Sequence, residues 1–254
     1  MSMLSIKQLG YSVADKTLLD IAALELTEAT TLALLGANGA GKSTLFKAMT
    51  DEIAATGDVY LHGKSIKEWS PQQKAKHLGV LPQSSQLTFA FTAHEVVALG
   101  LIPLTASHQE GERLVNKAMQ QTDTEQFADR IYTMLSGGER QRVHLARVLV
   151  QLSQAEQAPL LLLDEPTSAQ DLGQQHQILE LAQSLVQEQG WSVIAILHDL
   201  NQALRYCDEV WLLEQGKLVD QGTPEQVLTP DRVHQVWGYL PQVMVSESGD
   251  RVLI

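Results

Sequence analysis

Residues 36–44 read Gly-Ala-Asn-Gly-Ala-Gly-Lys-Ser-Thr, a glycine-rich stretch that ends in a lysine and two hydroxyl side chains. The apolar run at 31–35 before it is typical of a buried strand, and residues 44–49 have the pattern of a helix. Glycines allow backbone angles that turn several N–H groups toward one anion, and a helix N-terminus adds positive dipole charge. The spacing G-x-x-x-x-G-K-S between a strand and a helix therefore predicts a loop that binds the phosphates of a nucleoside triphosphate.

Two side chains of this loop have specific chemistry. Lys42 supplies a positive charge for the outer phosphates, and the Ser43 hydroxyl is placed to bind Mg²⁺. A plain turn between strand and helix is the alternative interpretation. The complete spacing and its structural context favour the phosphate loop.

The composition excludes several classes of protein. The chain has 254 residues, a formal net charge of −12 and a single cysteine, Cys207. The acidic balance disfavours a general nucleic-acid binder or nonspecific attachment to an anionic membrane, and one cysteine fits a reducing compartment. Neither a secretory signal nor an apolar run of about 18 residues is found. We expect a soluble, cytoplasmic protein that reaches a membrane only through a partner.

Strand and helix patterns alternate along most of the chain. Before the loop, short strands are predicted at 3–9 and 22–27, with Tyr11 between them. Residues 84–157 differ, because their amphipathic patterns predict helices rather than strands. The later strands are predicted at 57–63, 78–83, 160–163, 192–197, 209–213 and 217–221. This order predicts an α/β fold with an inserted helical subdomain.

Two further motifs indicate phosphate chemistry. The apolar strand at 160–163 ends in Asp164 and Glu165, whose side chains should point to different sides, one toward a metal ion and the other toward a water. Ser136 with Glu139 three residues later predicts a helix capping box. The two glycines between them leave backbone N–H groups open to an anion, so this helix N-terminus is a second candidate phosphate site.

Taken in order, these motifs resemble those of the ATP-binding subunits of ABC transporters, over essentially the whole chain. The matching elements are Tyr11 as the adenine-stacking aromatic, 36–44 as the Walker A loop, Gln83 as the Q-loop glutamine, 135–141 as the signature motif, 160–165 as the Walker B strand with its catalytic glutamate, 168–171 as the D-loop and His198 as the H-loop histidine.

The resemblance implies the fold and the site. The fold would be the P-loop NTPase type with a mixed central sheet and an antiparallel β subdomain, in one domain over 1–254. Within it, 1–83 and 158–254 would form the core, and 84–157 the helical subdomain. The implied ATP-binding residues are Tyr11, Gly36, Asn38, Gly39, Gly41, Lys42, Ser43, Thr44, Gln83, Ser136 and Gly138. Mg²⁺ would be held by Ser43, Gln83 and Asp164, and the catalytic residues would be Glu165, His198 and Lys42.

The resemblance also implies partners. Two copies would sandwich two ATP molecules head to tail, with Ser136 and Gly138 of one copy completing the site on Lys42 of the other. The homodimer would drive two integral membrane permease subunits supplied by a periplasmic binding protein, at the cytoplasmic face of the bacterial inner membrane. No direct contact with the transported substrate and no nucleic acid are expected.

Some of these matches have plainer interpretations. Tyr11 could be an aromatic residue at a strand end, Gln83 an exposed loop residue and His198 a structural histidine. Ala37 stands where many relatives have proline, and Gln170 replaces the apolar residue usual in the D-loop. The second departure leaves open how two subunits pack at this point.

The segment 88–100 with its Phe-Ala-Phe-Thr sequence resembles ATPases of bacterial metal-chelate importers, closest to those that import haem. Siderophore and cobalamin importers are the alternatives. A soluble relative in DNA repair, chromosome maintenance or translation is remoter, because the chain lacks a sustained heptad insertion and a second such domain. A regulatory module without hydrolysis is disfavoured by the presence of Glu165 and His198.

Overall fold

The computed structural model describes residues 2–83, 87–168, 170–246, 249 and 251–254, which group into two compact units. The first contains 1–68 and 192–254, and the second contains 69–191. The helical insert predicted at 84–157 lies inside the second unit, and its boundaries stay a prediction. The predicted α/β class is confirmed.

The helices and strands follow one another closely. In chain order they are β1 (Ser2–Val13), β2 (Lys16–Thr27), β3 (Thr31–Leu35), α1 (Lys42–Met49), β4 (Thr56–Leu61), β5 (Lys64–Ser65), α2 (Pro71–His77), β6 (Leu78–Leu81), α3 (Ala93–Ala98), α4 (His108–Gln121), α5 (Gly137–Leu152), β7 (Leu160–Asp164), α6 (Leu172–Gln189), β8 (Ser192–Ile196), α7 (Leu200–Tyr206), β9 (Glu209–Glu214), β10 (Lys217–Gly222), α8 (Pro224–Val227), α9 (Pro230–Trp237), β11 (Val243–Val245) and β12 (Arg251–Leu253).

The first unit has an antiparallel sheet in the order β2-β1-β4-β5. Its first two strands form a hairpin that is longer than the two short strands predicted from sequence. The chain turns at Ala14 and Asp15, where Ala14 has a φ of +50°. The prediction that Tyr11 lies between the strands was wrong, since it lies within β1 opposite Leu19. Exposed polar residues on the outer part of the hairpin hide the apolar alternation by which strands are recognised.

The first unit also contains a mixed sheet. β3 pairs in parallel with β8 on one side and with β9 on the other, and β10 pairs antiparallel with β9. Every residue of β3 and of β8 is buried, as expected for strands covered on both faces. The carboxyl ends of β3 and β8 therefore lie at one edge of this sheet.

The second unit pairs β6 with β7 in parallel and packs α5 against β6. The helix α5 approaches β6 closely because position 79 is glycine. A Cβ atom at this position would lie only 2.6 Å from Cγ1 of Val148 on α5. Pro82 follows β6, as predicted, because proline has no N–H to continue a strand. This packing holds the N-terminus of α5 near the ends of β6 and β7.

Candidate functional site

The predicted phosphate loop joins β3 to α1 and is shaped by its glycines. Positive φ angles of 147°, 79° and 103° occur at Gly36, Gly39 and Gly41. At Gly36 a Cβ atom would overlap the carbonyl oxygen of Leu213 on β9, so any other residue would push the loop off the strand. Asn38 and Gly39 form the exposed tip of the loop.

The side chain of Lys42 folds back over this loop. Its Nζ donates hydrogen bonds to the carbonyl oxygens of Gly36 at 2.7 Å and Ala37 at 3.2 Å, and the residue is only 6% exposed. Ser43 and Thr44 follow, half-buried, in the first turn of α1. An ammonium group held among backbone groups of a phosphate loop can exchange the carbonyl oxygens for those of a phosphate, which bind it more strongly.

His198 follows β8 at the same edge of the mixed sheet as the phosphate loop. Leu34 pairs with Ile196, so Gly36 and His198 each come two residues after this pair. His198 is exposed, and Asp199 caps α7 by accepting a hydrogen bond from the Asn201 N–H at 2.8 Å. Loops that follow the carboxyl ends of parallel strands are where α/β sheets bind ligands.

Tyr11 is half-buried in the antiparallel sheet of the same unit. It lies inside β1 rather than at a strand end, and it is neither fully buried nor fully exposed. Stacking on adenine stays a prediction.

The predicted acidic pair ends β7 in the second unit. Asp164 is the last residue of the strand, and Glu165 turns the chain with a φ of +51°. Both residues are half-buried. A non-glycine residue with positive φ is uncommon, and Glu165 is one of eight in the described part of the chain.

Gln83 contacts Glu165 directly. Its Nε2 donates a hydrogen bond to Oε2 of Glu165 at 2.6 Å. The two residues meet because Leu81 of β6 pairs with Leu163 of β7, and each of them comes two residues later. The amide oxygen of Gln83 is thereby turned away from the carboxylate, where it can serve as a ligand for a hard cation.

The capping box predicted at the start of α5 is confirmed. The Ser136 hydroxyl accepts a hydrogen bond from the Glu139 N–H at 3.3 Å, and Oε2 of Glu139 accepts one from the Ser136 N–H at 2.6 Å. The second bond, with the nearby Arg130, holds the pKa of the Glu139 carboxyl below its usual value. Ser136 and Gly137 are exposed at this helix N-terminus, whereas Gly138 is buried.

Tyr132 and His144 anchor the segment that leads into α5. The Tyr132 hydroxyl lies 2.8 Å from Nε2 of His144, and the two rings pack edge to face. Burial, with a contribution from Arg147, lowers the pKa of His144 from 6.5 to about 4. The imidazole is therefore neutral at pH 7 and shares a single hydrogen bond with the Tyr132 hydroxyl through Nε2.

This buried histidine should make the folded chain sensitive to acid. As the pH falls below 6.5, His144 becomes protonated in the unfolded chain, whereas in the folded chain it becomes protonated only near pH 4. The free energy of unfolding should therefore drop by about 2 kcal/mol between pH 7 and pH 5. Urea unfolding at both values measures it. His144→Gln should remove most of this drop, and His108→Gln, at an exposed histidine, should leave it in place. The same pH dependence in the wild type and His144→Gln would contradict this prediction.

The contacts of two residues on α5 were not predicted from sequence, although Gln141 lies within the predicted signature motif at 135–141. Gln141 and Arg142 on α5 are 7% and 5% exposed, and both contact the side chain of Gln170. Gln141 also donates a hydrogen bond to the carbonyl oxygen of Glu165 at 3.3 Å. Residues 139–142 are all polar, so nothing in the sequence marked Gln141 and Arg142 as buried. Of the D-loop, Ala169 lies outside the described residues.

The described residues contain no group of three or more His, Cys, Asp or Glu side chains placed to hold a metal ion. Among the helices that the structure describes, none combines the length and hydropathy of a membrane-spanning segment.

Comparisons with known proteins show what the whole chain is similar to. The family model described as ABC transporter matches residues 19–168. The chain is 49% identical over 253 residues to the hemin import ATP-binding protein HmuV of Shewanella denitrificans, covering 99% of this chain and 100% of that protein. It is 46% identical over 244 residues to the Vibrio cholerae protein of the same name, covering 96% and 94%. A solved dimer of the ATP-binding cassette MJ0796, in a post-hydrolysis state with ADP and phosphate, has a TM-score of 0.76 at 25% identity, covering 87% of this chain and 99% of that one.

Proposed function

The chain belongs to the ABC transporter family as an ATP-binding subunit, and we propose that it hydrolyses ATP to power haem import through a separate membrane permease. The hydrolysis is supported above all by the acidic turn at the end of β7, where Gln83 already holds the Glu165 carboxylate. The cargo is inferred from relatives that are hemin import proteins and are similar over nearly the whole chain.

Binding of ATP begins at the phosphate loop. In our proposal the backbone N–H groups around Gly36, Asn38, Gly39 and Gly41 hold the phosphates, with Lys42 on the outer ones. Ser43 and Thr44 would add hydroxyl contacts, and Tyr11 would stack on adenine. The positive φ angles of the three glycines support this role, since they let several N–H groups converge.

Mg²⁺ fits the residues proposed to hold it. Ser43, Gln83 and Asp164 offer a hydroxyl, an amide oxygen and a carboxylate, which are the oxygen ligands that this ion prefers. When bound, the ion offsets negative charge on the β- and γ-phosphates. It usually takes its remaining ligands from phosphate and water, so the absence of a three-residue acidic cluster among the described side chains is compatible with this assignment.

Hydrolysis is proposed as an in-line attack of water on the γ-phosphorus, with the bond to the ADP oxygen breaking on the opposite side. Glu165 orients the water and takes up its proton, and His198 contacts the γ-phosphate. In the structure Oε2 of this carboxylate accepts a hydrogen bond from Gln83, a contact that would have to give way if the same oxygen is to receive the proton.

A second copy of the chain would complete each site. We propose that Ser136 and Gly138 of one subunit contact the γ-phosphate held by the other, closing a head-to-tail dimer around two ATP molecules. Loss of the γ-phosphate removes these contacts and opens the dimer. This motion would drive two permease subunits at the cytoplasmic face of the inner membrane, supplied by a periplasmic haem-binding protein.

Transport in proteoliposomes tests the cargo. With the full chain, its cognate permease and the binding protein, we expect ATP-dependent accumulation of haem, and none with Glu165→Gln. A ferric siderophore and cobalamin, each supplied with its own binding protein, serve as control substrates. Uptake of either one without uptake of haem would overturn the haem assignment while leaving the ATPase role intact.

A further inference from the structure

The C-terminal strand β12 is hydrogen-bonded along both of its edges. On one side it pairs with β11, and beside this pair Gln242 and Ile254 exchange both backbone hydrogen bonds, at 2.8 and 3.0 Å. In an antiparallel pair the adjacent residue, Leu253, then turns its own N–H and C=O toward the opposite edge. Because Leu253 is only 8% exposed, these two groups need partners within the protein.

Asn201 on α7 supplies both partners. Its Nδ2 donates a hydrogen bond to the Leu253 carbonyl oxygen at 3.0 Å, and its Oδ1 accepts one from the Leu253 N–H at 2.8 Å. The side-chain amide thus bonds the strand edge as the backbone of a neighbouring strand would. Its orientation is fixed, because a carbonyl oxygen only accepts and an N–H only donates.

The other end of β12 is held by Arg251. Its Nη1 donates a hydrogen bond to the carbonyl oxygen of Glu225 at 2.9 Å, and its Nη2 donates one to the carbonyl oxygen of Leu228 at 3.5 Å. These carbonyl groups lie on α8 and directly after its end, where a helix leaves its acceptors without intrahelical donors. The strand that Asn201 contacts is therefore attached at both ends.

Asn201 lies in the first turn of α7, three residues after His198. A helix of seven residues has little stability of its own, so α7 depends on its packing against β12 and α8. The Asn201 N–H donates to Oδ1 of Asp199, the cap residue next to His198, at 2.8 Å. On the other side of His198, β8 and Leu197 are buried. The histidine therefore lies between a buried strand and a helix whose first turn is attached to β12.

We propose that Asn201 is a positioning residue for His198, because its two bonds to Leu253 fix the start of α7 and with it the location of the imidazole. This inference rests on the proposed function, in which His198 contacts the γ-phosphate of ATP. The position of that contact then depends on a strand 52 residues further along the chain than Asn201. Misplacing the histidine should lower the rate of hydrolysis more than the binding of nucleotide, which the phosphate loop holds.

Asn201→Ala and Asn201→Asp test this role in two steps. Alanine removes both bonds, whereas aspartate can still accept from the Leu253 N–H but cannot donate to its carbonyl oxygen. The ATPase rate against ATP concentration, for the full chain with its permease, gives kcat and KM. We expect kcat to fall about tenfold in Asn201→Ala and less in Asn201→Asp, with KM within about twofold of wild type. Asn116→Ala, at an exposed position on α4, is the matched control.

A double variant with His198→Ala distinguishes positioning from a general loss of stability. If Asn201 acts through the histidine, Asn201→Ala should not lower the residual rate of His198→Ala any further. Phosphate release with the protein in excess over ATP measures this slow rate. The ADP affinity of the isolated chain, measured by calorimetry, should match wild type in every variant, since ADP has no γ-phosphate.

The outcomes separate this inference from the proposed function. A wild-type kcat in Asn201→Ala would overturn the positioning role. A further loss in the double variant, an equal loss in Asn116→Ala or a weakened ADP affinity would also overturn it, because each indicates an effect that does not pass through His198. Wild-type turnover in His198→Ala would instead contradict the part of the proposed function on which the inference rests.

Discussion

Glu165→Gln is expected to bind ATP normally and to lose most of its turnover, by about a hundredfold or more. The amide cannot take up the proton of the attacking water, so the step that needs a base becomes slow. Its oxygen can still accept the hydrogen bond that Gln83 donates to Oε2 in the wild type, so the turn after β7 should keep its shape. Phosphate release by the full chain, in the presence of its permease, measures the loss.

The same variant should accumulate as a dimer with ATP and Mg²⁺, because the γ-phosphate that holds the dimer closed is no longer removed. Size-exclusion chromatography with and without ATP detects this state. Glu188→Gln, at an exposed position on α6, is the matched control and should behave like the wild type. A normal ATPase rate in Glu165→Gln would remove Glu165 from the mechanism.

Features encoded by contiguous residues could be predicted from sequence. The phosphate loop is one, because its three glycines and the flanking strand and helix patterns all lie within residues 31–49 and need no long-range information. The capping box of Ser136 and Glu139 is another, since both partners share one helical turn. Buried strands such as β7 were also recognised, because an apolar run of four leucines has few alternatives.

Contacts that depend on strand register could not be predicted. Gln83 and Glu165 are 82 positions apart, and they meet only because Leu81 pairs with Leu163. The hydrogen bonds of Gln170 with Arg142 and Gly138 depend likewise on how α5 packs beside the turn after β7, which the sequence does not specify. In both cases the sequence analysis had singled out the residue, but its hydrogen-bond partner is determined by packing between segments that are far apart in the sequence.

The extent of the first hairpin was missed for a different reason. Strands are recognised by alternating burial, and the outer half of β1 and β2 is largely exposed, so the pattern fades before the turn at Ala14. Tyr11 consequently lies inside a strand and opposite Leu19. Its proposed stacking on adenine has to use the part of the ring that the sheet leaves uncovered.

Lys42→Ala is expected to weaken ATP binding about a hundredfold, which corresponds to about 2.7 kcal/mol for a charged hydrogen-bonding group lost from the triphosphate. The ammonium is already held at the loop by the carbonyl oxygens of Gly36 and Ala37, so little ordering is needed when phosphate replaces them. The glycine angles, not the lysine, set the path of the loop, and the variant should therefore stay folded. Calorimetric titration with ATP measures the affinity, and Lys47→Ala, an exposed lysine on the same helix, controls for net charge. Normal affinity in Lys42→Ala would contradict the phosphate-loop assignment, whereas equal losses in both variants would indicate attraction by overall charge rather than a contact with the phosphates.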